Sequence, residues 1–156
     1  MIGTAAMTAW QVAVARLRGS GGEEGGGSEP RNEAEAWEQA PAPAQAAAKV
    51  SETTVGARPS AERIPVLTNA MHWAYGISWG AAYGAARRAG GDGKVARDGA
   101  LLGAGVWAAS YAQLVPMGVY EPPWRYPPAE LALDVSYHLV YGLAVAAGHR
   151  AIGHAT

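Results

Sequence analysis

The chain of 156 residues contains no cysteine and no phenylalanine, and few of its residues carry a charge. Without cysteine it forms no disulfide, no thiolate nucleophile and no Cys-ligated zinc or iron–sulfur site. Charged residues make up 16% of the sequence, against about 25% in an ordinary soluble domain. The net charge of −1 offers no basic surface that would attract nucleic acid. We therefore expect a protein that binds no nucleic acid and uses no sulfur chemistry.

The few charges are distributed unevenly and leave long stretches with none. No Asp, Glu, Lys or Arg lies between Arg63 and Arg87, or between Asp98 and Glu121. At about 1.5 Å per residue, a helix over either stretch is roughly as long as the hydrocarbon core of a bilayer is thick, about 30 Å. A soluble bundle would carry charged residues on the outward stripe of each helix. The pattern therefore favours membrane-spanning helices.

The sequence predicts an all-α protein, a four-helix transmembrane bundle with a long flexible loop between its first two helices. The predicted transmembrane helices are 1–17, 64–88, 99–120 and 128–152, and the last three form one region over 63–156. Pro116 should bend or end the third helix, since proline lacks an amide hydrogen.

Residues 18–62 are predicted to be a linker with one or two short surface helices. Its first part, 19–30, is rich in Gly, Ser and Glu and has nothing apolar to bury, so we expect it to be flexible. The second part contains strong helix formers, and Trp37 is interpreted as an anchor at the headgroup level.

The short loops carry unequal positive charge. Segment 87–98 contains four Lys or Arg residues, whereas the connection between the third and fourth helices contains only Arg125. Cytoplasmic loops of membrane proteins are enriched in Lys and Arg. Loop 87–98 and both termini are therefore expected on the cytoplasmic side, although Arg16 and Arg18 argue for the opposite orientation.

Glycine recurs at four-residue spacing within the predicted helices. In lipid, small residues allow two helix backbones to approach closely, and dispersion contacts then hold the helices together. We interpret the glycines as a zipper of helix-packing positions. They are Gly76, Gly80, Gly84, Gly99, Gly103 and Gly142.

A short motif occurs twice, as HWAYG at 72–76 and as HLVYG at 138–142. The second and fourth helices of a four-span bundle run in the same direction, so we expect the two histidines at similar depth and the two helices as partners. Asp134 lies one turn before the second histidine. These side chains either hydrogen-bond between helices or form a proton-handling site. The candidate polar site is His72, Tyr75, Asp134, His138 and Tyr141.

Two histidines at matched depth suggest one cofactor hypothesis, haem b ligated by His72 and His138. Otherwise we expect no cofactor. No third ligand for a metal ion can be identified, and no serine lies in a nucleophile-elbow context, so the sequence predicts no metal site and no enzymatic activity.

Several local patterns together resemble the YagU-like inner-membrane proteins of bacteria, whose activity is unknown. The patterns are GTAAMT at 3–8, His72 with Tyr75-Gly76, Tyr83-Gly84, Gly103 with Trp107 and Tyr111 before Pro116, and His138 with Tyr141-Gly142. The resemblance implies a multi-pass protein of the bacterial inner membrane and supplies no catalytic residues.

The leading hypothesis is a non-enzymatic integral membrane protein whose partners are the lipid bilayer and either a second copy or a larger membrane complex. The alternative is a small transport or proton-handling subunit that uses His72, His138 and Asp134. A soluble helical interaction module is the third hypothesis.

Overall fold

A computed structural model describes residues 1–19, 30–90 and 94–153, with the backbone alone for 88–90 and 153. All regular elements in these ranges are helical, which confirms the all-α prediction. The helices are α1 (Ile2–Leu17), α2 (Glu33–Glu38), α3 (Ala42–Val55), α4 (Ile64–Gly90), α5 (Val95–Leu114) and α6 (Pro128–Gly153), with single 3-10 turns at Ala61–Arg63 and Pro123–Arg125. Most of the segment predicted to be flexible, residues 20–29, and the centre of the turn after α4, residues 91–93, lie outside the described residues.

The third predicted span, 99–120, differs from α5 at both ends. The helix begins at Val95, and Asp98 lies in its first turn, where the helix dipole favours an acid. Asp98 also pairs with Arg87 at 3.4 Å. Val115 still has helical backbone, but Pro116 has no amide hydrogen with which to continue the helix, and the carbonyl of Leu114 accepts the amide hydrogens of two later residues instead. A stretch without charged residues shows which part of a helix is compatible with lipid. It does not show where the helix begins.

The closest helix pair is α5 with α6, which run antiparallel. A Cβ added at Gly103 would lie 2.8 Å from the Cα of Leu139, and one added at Gly142 would lie 2.9 Å from the Cα of Gly103. A Cβ at Gly99 would lie 2.7 Å from the Cα of Leu143. Because these neighbours are backbone atoms, the two helix backbones lie close together. Both helices contribute glycines to this contact.

Helix α1 lies against both α6 and α4 and runs antiparallel to them. The side chain of Ile2 packs beside Gly148, and Trp10 Nε1 donates to Ser136 Oγ at 3.1 Å. Thr4 packs directly against Gly76. The first predicted helix is thus part of the bundle.

The expectation that α4 and α6 pack as partners needs correction. Gly142 of α6 faces α5 and Gly148 faces α1, whereas α4 packs mainly against α3 and α1. Helices α4 and α6 run in the same direction and contact each other through long side chains, Tyr141 beside Gly76 and His149 beside Tyr83. A methyl group added at Gly80 or Gly84 would meet only ordinary van der Waals contacts, so neither position requires close backbone approach.

The segment predicted as a linker with one or two short surface helices contains α2 and α3, which dock onto the 3-10 turn before α4 and onto α4 itself. Trp37 is 4% exposed and packs with three alanines of this segment against Ile64 and Leu67. Its interpretation as a headgroup anchor is therefore wrong. The Asn32 side chain caps α2 by accepting from the Glu35 amide at 3.0 Å, and Gly56 ends α3 at a φ of +77°.

Candidate functional site

A cavity of about 320 Å³ lies between α1, α3, α4, α5 and α6. We call it the inner cavity. The structure brings all five residues of the predicted polar site to its wall, although they are up to 69 positions apart in sequence. They are His72, Tyr75, Asp134, His138 and Tyr141. The cavity therefore joins polar groups from the two copies of the repeated motif.

Asp134 is the carboxylate of this cavity. Its Oδ2 accepts hydrogen bonds from Trp107 Nε1 at 2.9 Å and from the Tyr111 hydroxyl at 3.2 Å. Trp107 and Tyr111 lie one turn apart on α5, with ring centroids 5.2 Å apart. Both donors are neutral, so they orient the carboxylate without cancelling its charge.

His138 is buried, and its Nδ1 lies 2.9 Å from the backbone carbonyl oxygen of Asp134. A carbonyl oxygen only accepts, so the ring hydrogen is on Nδ1 and Nε2 is the acceptor of the neutral ring. The same Nδ1 lies 3.7 Å from Asp134 Oδ1.

The wall opposite α6 carries His72 and Tyr75 of α4. The Thr8 hydroxyl donates its hydrogen to the Thr4 carbonyl at 3.0 Å and lies 3.5 Å from His72 Nε2, so its oxygen is the acceptor in the contact with the histidine. Tyr75 accepts from Gln113 Nε2 at 3.1 Å. Each polar group here is held by a neighbouring helix.

Tyr141 connects α6 to α4. Its side chain is 3% exposed, and its hydroxyl donates to the carbonyl oxygen of Gly76 at 2.5 Å. His72 and His138 lie about one helical turn before these two residues in parallel helices, so they are at a similar level in the bundle.

A second cavity of about 210 Å³, which we call the outer cavity, lies where the chain leaves α5 and enters α6. Its wall consists of Tyr111, Tyr120, Tyr126, Glu130, Leu131 and Asp134. Tyr120 and Asp134 belong to the walls of both cavities. Burial and, to a lesser extent, Asp134 raise the pKa of Tyr120 to about 12, so its hydroxyl stays protonated at neutral pH.

Sequence reasoning missed the partners of Asp134, although a signal for them exists. A carboxylate inside a charge-free region needs hydrogen-bond donors. Trp107 and Tyr111 are donors one turn apart on the neighbouring helix and could have been paired with it. Gln113 and Thr8 carry no such signal, because short polar side chains are common in helices of either environment.

Among the described residues, no group of three or more His, Asp or Glu side chains is placed to hold a metal ion. The haem hypothesis for His72 and His138 stays a prediction, and an absorption spectrum of the purified protein would test it. Comparison of the chain with protein-family models, curated proteins and solved structures finds no match. Function must therefore be inferred from the two cavities and the helices around them.

Proposed function

We propose that the protein is an integral membrane protein in which α4, α5 and α6 cross the bilayer. The outward side of α4 supports this placement. No exposed residue of α4 up to Ala86 carries a charge, and the exposed positions include Val66, Ala70, Ala74, Ile77, Ala81 and Ala85, which recur every three or four residues. A helix facing water would carry charge on such a stripe. An uncharged outward face of this length is expected of a helix that contacts lipid.

The hydropathy of one helix, α6, also supports the membrane placement. Within the described ranges, α6 over Pro128–Ile152 is long and apolar enough to cross a membrane, and 22% of its most apolar window is buried in the fold. The core helix of a soluble protein would be mostly buried. The largely unburied apolar surface of α6 therefore favours contact with lipid. Among the described helices, α4 and α5 do not meet the same criterion, because their Gly, Tyr and Trp residues lower the mean hydropathy.

Helix α1 completes the proposed bundle. Its 16 residues reach about 24 Å, less than the roughly 30 Å of hydrocarbon, and its contacts with α6 and α4 would hold it among longer helices. In this arrangement loop 87–98 and the chain start lie on one side, the cytoplasmic side by charge, and α2 and α3 lie on the other.

We further propose that the inner cavity binds and transfers protons. The observation that carries this function is the grouping of two histidines and one carboxylate around a single cavity, between helices whose middle turns expose no charged residue. Ionisable groups at such depth mark ion or proton pathways. Among the described residues, no Lys or Arg lines either cavity, so no permanent cation neutralises Asp134 there.

A proton passing from the outer cavity to the inner cavity would meet Asp134 between them, since this carboxylate lies on both walls. Next along α6 is His138, whose Nε2 can accept a proton, and His72 lies across the inner cavity on α4. A proton can therefore pass between titratable groups without leaving the cavity. Water within the cavity would bridge the groups that do not touch.

Proton flux across liposomes containing the purified protein tests this function. We expect an imposed pH gradient to dissipate faster than in protein-free liposomes, and we expect His138→Gln to reduce the protein-dependent rate about tenfold or more, because removing one member interrupts the relay.

His149→Gln is the matched control. His149 lies on the same helix but packs against Tyr83 and lines neither cavity, so flux should stay within about twofold of the unmodified protein. Equal flux in liposomes with and without protein, or equal rates for both variants, would exclude a relay through His138.

A further inference from the structure

We propose that the outer cavity is a binding site for an organic ammonium group. The site combines aromatic rings with carboxylates, and it lies beside the α5–α6 connection. It shares Asp134 and Tyr120 with the inner cavity but is a distinct site, since Tyr126 and Glu130 line the outer cavity alone.

Three tyrosines form the aromatic side of the cavity. The ring centroid of Tyr111 lies 5.1 Å from that of Tyr120 and 6.1 Å from that of Tyr126, with interplanar angles of 50° and 85°. The rings thus present faces in different directions around one space. A cation is attracted by the negative face of an aromatic ring within about 6 Å, and several such faces form the cage that recognises quaternary ammonium groups.

Two carboxylates supply the charge. Glu130 and Asp134 lie one turn apart on α6 and both line the cavity. The start of α6 at Pro128 contributes about half a positive charge from the helix dipole, which two full negative charges outweigh. Arg125, the nearest basic residue along the chain, pairs with Glu121 at 2.8 Å and does not line the cavity. The net field at the rings therefore favours a cation.

The cavity is small. Its volume of about 210 Å³ is below the roughly 300–1,000 Å³ of pockets that hold drug-sized ligands. An ammonium head such as that of choline or ethanolamine suits this size better than a larger molecule. The same head occurs free in solution and on phospholipids, and only the lipid source depends on the membrane placement proposed above.

Calorimetric titration of the detergent-purified full chain with choline, and separately with ethanolamine, tests the site against a sodium chloride control. We expect saturable binding that shifts the indole N–H resonance of Trp107, because this group donates to Asp134. The resonance is assigned by its loss in Trp107→Phe.

Matched variants distinguish the loss of an aromatic ring of the cavity from a loss of the folded structure. Tyr120→Phe keeps the ring and should bind within about twofold of the unmodified protein, whereas Tyr120→Leu removes it and should bind about tenfold more weakly. Asp134→Asn should also weaken binding about tenfold or more. Glu62→Gln changes a carboxylate in the 3-10 turn before α4, outside the cavity, and should leave affinity unchanged.

The lipid arm compares nanodiscs of phosphatidylethanolamine with nanodiscs of phosphatidylglycerol. Binding of a free amine supports the site with a soluble ligand. A Trp107 shift that occurs only in phosphatidylethanolamine, and that Asp134→Asn abolishes, supports it with a lipid headgroup. Absence of any response in both arms, or equal affinity in Tyr120→Phe and Tyr120→Leu, would overturn the proposal while leaving proton transfer untouched.

Discussion

Replacing Gly142 with alanine is expected to destabilise the bundle by about 3 kcal/mol or more, at the upper end for overpacking. The added Cβ would collide with the Gly99 carbonyl oxygen and lie 2.9 Å from the Cα of Gly103. These are backbone atoms, so relief requires α5 and α6 to separate and lose their shared contact. We expect a lower midpoint of unfolding in mixed detergent, followed by circular dichroism.

Gly105→Ala is the matched control for this substitution. Gly105 is also a helical glycine, two positions after Gly103, but no atom lies within 4 Å of the added Cβ. Alanine is favoured over glycine in a helix by about 1 kcal/mol, so this variant should be equally or more stable. Equal stability of Gly142→Ala and Gly105→Ala would contradict the α5–α6 packing described above.

Replacing Trp37 with alanine is expected to release α2 and α3 from α4. The side chain is 4% exposed and forms the centre of a small cluster, so its removal should cost about 3–5 kcal/mol. This loss is larger than the stabilisation that the contacts of three alanines with Ile64 and Leu67 can provide. Limited proteolysis should then cut the connection at 56–60 rapidly, with the long helices left intact.

Trp124→Ala provides the comparison, since Trp124 is 82% exposed in the α5–α6 connection. Its loss should change stability by less than about 0.5 kcal/mol, as for most surface positions. If Trp37→Ala and Trp124→Ala resist proteolysis equally, then α2 and α3 are not held by the cluster.

Stretches without charged residues, together with the positions of prolines, predict the long helices well. The expected 128–152 closely matches α6, because Pro128 suits a first helical turn and Glu130 suits the positive helix end. Helix α4 matches 64–88 for a related reason, since nothing within it breaks a helix. The polar site also follows from sequence, because polar groups on apolar helices are buried together.

Which helices meet could not be predicted from glycine spacing alone. The spacing identifies a face that allows close approach but does not say which neighbour uses it, so α4 was expected where α5 packs. The docking of α3 escaped prediction for a similar reason. An alanine-rich helix with a nearby tryptophan fits both a headgroup surface and a protein surface, and only the position of α4 distinguishes them.

The proposed placement of α4, α5 and α6 in lipid is tested most directly by spin labels at outward positions. The chain has no cysteine, so single variants need no prior substitutions. Ile77→Cys, Leu101→Cys and Leu143→Cys place a label on each helix at exposed residues, and Ser60→Cys places one before α4 as the water control.

Collision of these labels with oxygen and with a water-soluble nickel complex is then measured in reconstituted bilayers. We predict that the three helix labels collide mainly with oxygen, which concentrates in hydrocarbon, and that the Ser60→Cys label collides mainly with nickel. Nickel collision at Ile77→Cys, Leu101→Cys and Leu143→Cys equal to that of the control would contradict the membrane placement.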